Sequence, residues 1–356
     1  MKFLAIGFCL LALVIAGALL YSALKAREIA ARFPNEGRLI DVGGYRLNSV
    51  LVPAGPDADL PPLVFIHGAS GNLRDPMGAF RPSLEGRAAL LFVDRPGHGY
   101  SERGGAANAL PDGQSDAIAA LMERRGIGAA IVVAHSFGGA VAASLAVRHP
   151  DKVAGLVFLS PATHPWPGGV DWYYSLARTP VLGWIFAHAV ALPVGLGRID
   201  SGTRFVFAPN RPPADYSERA ATALVLRPDN FRNNAIDVAN LKDYVSRVAP
   251  RYREIRAPTV IVTGDRDGVV LPGIHSAGLK RDIEGSELVT IHNLGHKPDY
   301  IVTDVAIAAI ERVAGKTVDL EAVARRAEAR IAGDDEPASG GGPQPDQTPL
   351  SPSEPI

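Results

Sequence analysis

The chain has little cysteine and almost no net charge. It has a single cysteine, Cys9, which lies in an apolar run. Because one cysteine cannot form a disulfide within the chain, cysteine usage does not indicate whether the protein is in an oxidising or a reducing compartment. Cysteines and histidines do not cluster at metal-ligand spacing, so we expect neither a metal ion nor a cofactor. The formal net charge of -1 lacks the electrostatic footprint of a nucleic-acid-binding protein, which excludes that class of partner.

A long uncharged run stands near the amino terminus, from Phe3 to Leu24. Roughly 20 apolar residues at 1.5 Å each span a hydrocarbon core of about 30 Å. A cleaved signal peptide has a shorter apolar core, followed by small residues such as those at 16–18, but this run continues past them. We therefore expect residues 1–25 to form an uncleaved, single-pass membrane anchor. The alternative is a signal segment that is cleaved on export.

Short apolar runs alternate with helical stretches from Arg38 onward, as in a doubly wound α/β fold. Near-continuous apolar runs are typical of parallel strands buried on both faces. The predicted strands span residues 39–42, 45–52, 63–66, 89–93, 129–134, 155–160, 259–264 and 287–291. Gly43-Gly44 predicts a hairpin between the first two. The result is a mostly parallel, eight-stranded sheet.

One stretch interrupts this alternation. Residues 161–256 contain no strong strand pattern but hold all three tryptophans, so we interpret them as a helical cap inserted after the sixth strand. The α/β core would then comprise residues 38–160 and 257–315. A charged amphipathic helix is predicted over 316–333. The tail 334–356, rich in Pro, Gly, Ser and acidic residues, is predicted to be disordered.

Ser136 stands where a buried strand turns sharply into an alanine-rich helix. A serine at the apex of such a turn is typical of a nucleophile elbow, which requires small neighbours. Gly138 supplies one of them, and Ala134 occupies the place where the usual pattern has glycine. The alternative, a serine that only caps the helix, is compatible with the same position.

A serine hydroxyl needs a base, and the base needs an orienting carboxylate. In elbow enzymes these partners follow the serine in the order acid, then histidine. Asp265 and Asp267 follow one late strand, and His296 lies in the loop after the next, at the sheet edge where open α/β sheets place their sites. His292, at the end of that strand, is the alternative base.

With these motifs the chain resembles the α/β-hydrolase superfamily, in its capped branch of esterases, carbon–carbon bond hydrolases and haloperoxidases. The similarity covers roughly residues 38–315, and its motifs are His67-Gly68-Ala69-Ser70-Gly71, Asp94-Arg95-Pro96-Gly97-His98-Gly99-Tyr100-Ser101, His135-Ser136-Phe137-Gly138-Gly139, Gly264-Asp265-Arg266-Asp267 and Gly295-His296-Lys297-Pro298.

The resemblance implies a site as well as a fold. Asp267, last in its Gly-x-x-Asp motif, becomes the acid, and Asp265 remains the alternative. The backbone N–H groups of Ala69 and Phe137 would form the oxyanion hole. His98 is expected to be structural. For Asn72, in the same loop as Ala69, solvent exposure is expected.

Serine at the elbow excludes the dehalogenases and epoxide hydrolases of this fold, which use aspartate, and favours acyl transfer. We expect hydrolysis of a small hydrophobic carboxylic ester through an acyl-enzyme on Ser136. Cap aromatics would roof the apolar pocket: Trp166, Trp172, Tyr173, Tyr174, Trp184 and Phe186. A carbon–carbon bond hydrolase acting on a diketone and a cofactor-free haloperoxidase remain alternatives with the same triad. A membrane-tethered, non-catalytic binding protein is the alternative from a different class.

Overall fold

A computed structural model of the protein describes residues 2–334. In this part of the chain the strands are β1 (Arg38–Asp41), β2 (Arg46–Val52), β3 (Leu63–Ile66), β4 (Leu90–Val93), β5 (Ala130–His135), β6 (Val153–Leu159), β7 (Thr259–Gly264) and β8 (Glu287–Ile291). They form one sheet in the order β1-β2-β4-β3-β5-β6-β7-β8. β1 pairs with β2, and β2 with β4, antiparallel, whereas all other pairs are parallel. The predicted eight-stranded, mostly parallel sheet is confirmed.

The helices that precede β7 are α1 (Lys2–Arg32), α2 (Arg74–Leu84), α3 (Pro111–Arg124), α4 (Phe137–Arg148), α5 (Trp172–Ala177), α6 (Val181–Phe186), α7 (Leu192–Leu196), α8 (Ile199–Phe207), α9 (Tyr216–Arg219) and α10 (Pro228–Val248). After β7 come α11 (His275–Asp282), α12 (Pro298–Ile301), α13 (Thr303–Val313) and α14 (Leu320–Ile331). A π-helical stretch, Ala187–Ala191, links α6 to α7. The predicted disordered tail lies outside the described residues, apart from its first residue, Asp334.

Helices cover both faces of the sheet because successive side chains of each strand point to opposite sides. In β3, Val64 and Ile66 pack into the cluster that includes α3, α4 and the carboxyl-terminal half of α10. Leu63 and Phe65 point the other way and pack against α2, α13 and α14. Strands buried on both faces explain the continuous apolar runs of the sequence.

Among the described residues, the stretch between β6 and β7, where we predicted a helical cap at 161–256, contains only helices and loops. We call these residues the cap segment. Its last long helix also belongs to the core, since Leu241, Tyr244 and Val245 of α10 pack into the cluster on one sheet face. This packing anchors the carboxyl-terminal half of α10 on that face of the sheet.

Near the amino terminus, α1 does not end with the apolar run but continues to Arg32, beyond the predicted anchor at residues 1–25. Charges do not oppose the helix there, because Lys25 and Glu28 form an ion pair one turn apart at 2.7 Å. The helix then packs on the folded domain. Ile29 and Phe33 share a buried cluster with Leu192 and Leu224 of the cap segment.

Candidate active site

Ser136 lies at a strained turn between β5 and α4, with φ 53° and ψ −121°. A positive φ is costly for a residue with a Cβ and persists only where the surroundings impose it. Here the neighbouring β6 imposes it. The Ser136 N–H donates to Leu159 O at 3.0 Å, and Ser136 O accepts from the N–H groups of Gly139 and Ala162. The turn leaves the serine on the wall of the large cavity described below.

The turn needs small residues on its inner side. A Cβ on Gly138 would lie 2.5 Å from Ile66 O and 2.8 Å from His67 O, so a side chain there would collide with the end of β3. Ala134, the departure from the usual glycine, is accommodated within β5. It is buried and keeps regular pairing with Ile66 on one side and Phe158 on the other.

Asp267 and His296 form the second part of the site. Both are buried, and His296 Nδ1 lies 2.8 Å from Asp267 Oδ2. The other carboxylate oxygen accepts from the backbone N–H groups of Val269 and Val270, at 2.9 and 2.8 Å. Burial alone would raise the pKa of the Asp267 carboxyl, but the His296 ring and the backbone donors outweigh it and hold that pKa below its usual value. The carboxylate is therefore ionised and oriented towards the imidazole.

The structure brings His296 and Ser136 to the wall of the same cavity. Within the described residues no hydrogen bond joins Ser136 Oγ to the His296 ring. The ring centroids of His296 and of His135, the residue before the serine, are 4.8 Å apart. Catalytic hydrogen bonds are often long in the absence of substrate and shorten in the complex. The arrangement suits a base that engages the hydroxyl when substrate is bound.

Ala69 and Phe137, the expected oxyanion-hole residues, also line this cavity. Neither backbone N–H has an acceptor among the described residues, and Phe137 is the first residue of α4, where the helix dipole favours negative charge. The loop that carries Ala69 is tied to the cap segment, because Ser70 N donates to Asn234 Oδ1 at 2.7 Å. Two free N–H groups beside a serine can bind an oxyanion.

Asn72 was expected to be solvent-exposed, and that prediction is wrong. Its side chain is buried, and its Nδ2 donates to Ala220 O of the cap segment at 2.8 Å. No local pattern indicates this contact, because the partner is 148 residues away. Asn72 thus helps to fix the loop that carries Ala69.

The alternative acid and base lie elsewhere. Asp265 Oδ2 is 2.7 Å from His292 Nδ1, so the two alternatives bond to each other. The His292 side chain is 75% exposed and does not line the cavity. His98 is buried, as expected for a structural residue, with its ring nitrogens 3.2 Å from Pro96 O and 3.1 Å from an Arg95 Nη2.

The cavity measures about 690 Å³ and lies between the strand ends and the cap segment. Of the six aromatic residues predicted to roof it, Trp166, Tyr173 and Tyr174 line it, whereas Trp172, Trp184 and Phe186 do not. Trp172 and Trp184 turn outward and are 70% and 45% exposed. The sequence placed aromatics in the right segment but could not tell which side of each short helix faces inward. Phe231 of α10, which sequence reasoning missed, also lines the cavity.

A buried ionic cluster adjoins His296 and was not predicted. Lys297 Nζ lies 2.9 Å from carboxylate oxygens of both Asp75 and Asp299, and its side chain is 2% exposed. Burial alone would lower the pKa of the Lys297 ammonium, but the two carboxylates outweigh it and raise that pKa. Tyr216 Oη donates to the Asp75 carboxylate, and Tyr300 Oη donates to the Asp75 backbone carbonyl. Asp75, Asp299 and His135 are close enough to hold a cation, but the Lys297 ammonium already pairs with both carboxylates.

His135 connects Ser136 to the loop that carries His296. Its Nε2 donates to the backbone carbonyl of His296 at 2.8 Å, and its buried Nδ1 has no partner among the described residues. Burial and the nearby Lys297 charge hold the pKa of His135 well below its usual value, so the ring is neutral. Asn210 of the cap segment holds the same loop, since it accepts from Gly295 N and donates to Asn293 O.

Comparison with known proteins gives consistent results. A family model described as the alpha/beta hydrolase fold matches residues 61–298. Lipase 3 of Moraxella sp. (strain TA144) is 26% identical over 245 residues, covering 67% of this chain and 72% of that protein. The 2-hydroxymuconate semialdehyde hydrolase of Pseudomonas putida is 34% identical over 165 residues, 44% of this chain and 56% of that protein.

The fold is also found among solved structures. The crystal structure of a membrane phospholipase A, described as a bacterial virulence factor, matches with a TM-score of 0.62 at 21% identity. The match covers 89% of this chain and 100% of that one. A likeness at this identity establishes a common architecture.

Proposed function

The chain belongs to the alpha/beta hydrolase fold family, and we propose that it is a serine hydrolase that cleaves carboxylic esters of hydrophobic groups. Hydrolase activity follows from the family and its lipase, esterase and hydrolase members. One observation carries the proposed chemistry. The strained Ser136 shares a cavity with a histidine whose Nδ1 is 2.8 Å from a buried carboxylate.

In the proposed reaction, Ser136 Oγ attacks the ester carbonyl carbon while His296 Nε2 accepts the hydroxyl proton. Asp267 holds the ring in the tautomer with its proton on Nδ1 and stabilises the imidazolium that forms. The Phe137 and Ala69 N–H groups stabilise the carbonyl oxygen as it becomes negative. His296 then donates its proton to the departing alcohol. Water, activated by the same ring, releases the acid from the acyl-enzyme.

The cavity supports an apolar substrate. Its wall is mainly hydrophobic and aromatic, and a cavity of about 690 Å³ lies within the usual range for small-molecule sites. Lipase 3, similar over most of its length, carries a name that supports ester substrates. The matched 2-hydroxymuconate semialdehyde hydrolase is named for a semialdehyde and not for an ester. A diketone is therefore tested beside the esters.

We further propose that α1 is an uncleaved membrane anchor. This helix is long and apolar enough to cross a membrane, although a signal sequence near the amino terminus would pass the same test. Its carboxyl-terminal end is tied to the domain, because Tyr100 Oη donates to the backbone carbonyl of Phe33, the residue directly after the helix, at 2.6 Å. Cleavage after the small residues at 16–18 would remove only part of this packed helix.

Nitrophenyl esters of graded acyl length, compared with a vinylogous diketone, test the proposed reaction. We expect ester hydrolysis that rises with acyl length until the cavity is full and that is lost in Ser136→Ala. Cleavage of the diketone in preference to every ester would instead assign the site to carbon–carbon bond hydrolysis. Hydrolysis of the esters by a folded Ser136→Ala variant at the wild-type rate would contradict the proposal.

A further inference from the structure

One face of the apolar helix α1 is covered by the rest of the protein over part of its length. Residues Lys2 to Val14 are exposed on all sides. From Ile15 onward a stripe at helical spacing is partly or fully covered: Ile15, Ala18, Leu19, Ser22, Lys25, Ala26, Ile29 and Ala30, followed by Phe33. The domain therefore begins to cover the helix inside the uncharged run, well before the first charge at Lys25.

The lengths of these parts decide where the covered stretch lies. The freely exposed part, Lys2 to Val14, measures about 20 Å at 1.5 Å per residue, which is too short for a hydrocarbon core of about 30 Å. The whole uncharged run, Phe3 to Leu24, measures about 33 Å and is long enough. If the run spans the bilayer, the part of the protein that packs against Ile15 to Ser22 also lies in the hydrocarbon core, over roughly a third of its thickness.

The cap segment supplies that packing. α1 packs mainly on the π-helical stretch Ala187–Ala191, and also on Thr222–Leu226 and on α7. The π-helical stretch and α7 lie in a second uncharged run, Thr179 to Gly197, which is bounded by Arg178 and Arg198. The pair Val181–Leu196 and Ile199–Phe207, bent by 74°, is together apolar enough for a membrane environment.

Large hydrophobic side chains of this region point to solvent instead of the core. We call them the cap face: Trp172, Val181, Leu182, Trp184, Val190, Val194 and Phe205, each at least 40% exposed. Exposed apolar patches of this kind mark interaction surfaces. Exposed arginines at 178, 198 and 204 and two tryptophans accompany the patch, and both residue types favour the lipid headgroup region.

We propose that the cap face inserts into the leaflet beside α1 and opens the active-site cavity to lipid. The inference depends on α1 being in the membrane and goes beyond the proposed ester hydrolysis. Phe205 connects the cavity with the cap face, because it lines the cavity and is 65% exposed on the cap face. Ile199 lines the cavity beside it. A hydrophobic substrate dissolved in the bilayer would then reach Ser136 without crossing water.

Site-directed spin labelling of the full chain in phosphatidylcholine–phosphatidylglycerol nanodiscs tests this insertion. In a Cys9→Ser background, single labels are placed with Leu182→Cys and Val190→Cys. Leu39→Cys, an exposed leucine on β1, is the matched control, and the native Cys9 in the apolar run is the reference for a lipid environment. Collision with oxygen and with a water-soluble nickel complex measures exposure to lipid and to water.

We expect the labels at 182 and 190 to resemble the Cys9 label, with oxygen contact exceeding nickel contact, and the label at 39 to show the reverse. Nickel contact at 182 and 190 equal to that at 39 would overturn the proposal. So would protection from both agents together with spin–spin coupling between copies, because the cap face would then contact a second chain. These readouts are independent of activity and so separate this inference from the proposed reaction.

A functional experiment complements the labelling. Leu182→Asp should reduce hydrolysis of a long-chain ester embedded in vesicles by about tenfold or more, because a carboxylate disfavours insertion. The same variant should hydrolyse a dissolved short-chain ester at the wild-type rate, and Leu39→Asp should affect neither. Equal losses on both substrates, or no loss on vesicles, would contradict entry from the membrane.

Discussion

The Asp267 carboxylate determines how the proposed base is held. Asp267→Asn should lower kcat for an ester roughly 10³- to 10⁴-fold, since an amide favours the wrong tautomer of the ring. Asp265→Asn is the matched control, because that carboxylate bonds His292 at the surface and should change kcat little. Steady-state kinetics on both variants measures the difference, and similar losses in the two would refute the assignment of the acid.

Lys297 should matter for stability because its ammonium pairs with two buried carboxylates beside His296. Lys297→Met leaves Asp75 and Asp299 buried without their cation, and the loss of one partner of such a group costs about 3–5 kcal/mol of unfolding free energy. Lys316→Met removes an exposed partner of Asp59 and should cost less than about 1 kcal/mol. Equal denaturant midpoints for the two variants would contradict a structural role for this cluster.

The sequence predicted those residues of the candidate site that are recognised from their neighbours along the chain. Ser136 follows a buried strand, and Asp267 and His296 lie in loops after strands, so alternation and motif order sufficed to select them. The burial of Lys297 and Asn72 was not predicted, because their partners are distant in sequence and no local pattern indicates burial of a polar side chain. The sequence could not predict whether Trp172 and Trp184 point towards the cavity or towards solvent, because short helices have too few turns to define a face.

The elbow between β5 and α4 depends on close packing against β3. Gly138→Ala would place a methyl group 2.5 Å from Ile66 O, so we expect a loss of about 1–3 kcal/mol or more, together with lost activity. Gly128→Ala is the matched control, since no atom lies within 4 Å of its added Cβ. Thermal unfolding of both variants checks this, and a stable, fully active Gly138→Ala would refute the packing argument.

Element positions were largely predictable, and element ends were less so. The predicted spans of β7 and β8 agree with the structure, because apolar runs bounded by glycine or charge define them clearly. β6 starts at Val153, two residues before the prediction, where pairing with β5 passes through an irregularity. α1 exceeds its predicted end because charged residues favour a helix as readily as a connector once they pair one turn apart.

For the whole molecule, buried neutral histidines make stability depend on pH. Burial holds the pKa values of His67, His98 and His135 well below the usual value and lowers that of His275 to about 4. The unfolded chain takes up these protons near pH 6.5 and the folded chain does not. Below that pH the unfolded state therefore binds more protons, and stability falls as the pH falls from about 7 towards 4.

Thermal unfolding between pH 7.5 and pH 5 measures this dependence. We expect Tm to fall with pH, and the fall to be smaller in His275→Asn, whose amide oxygen can accept the Thr163 and His164 N–H groups in place of Nδ1. A constant Tm across this interval, or an unchanged slope in the variant, would contradict buried neutral rings.

Location of a fluorophosphonate adduct by peptide mass spectrometry tests the central claim most directly. We predict one adduct, on Ser136 of the wild type, that is absent from Ser136→Ala, forms far more slowly in His296→Gln, and persists in Ser70→Ala, which alters another serine on the cavity wall. An adduct that persists in Ser136→Ala, or no adduct on a folded wild type, would contradict a nucleophilic Ser136 activated by His296.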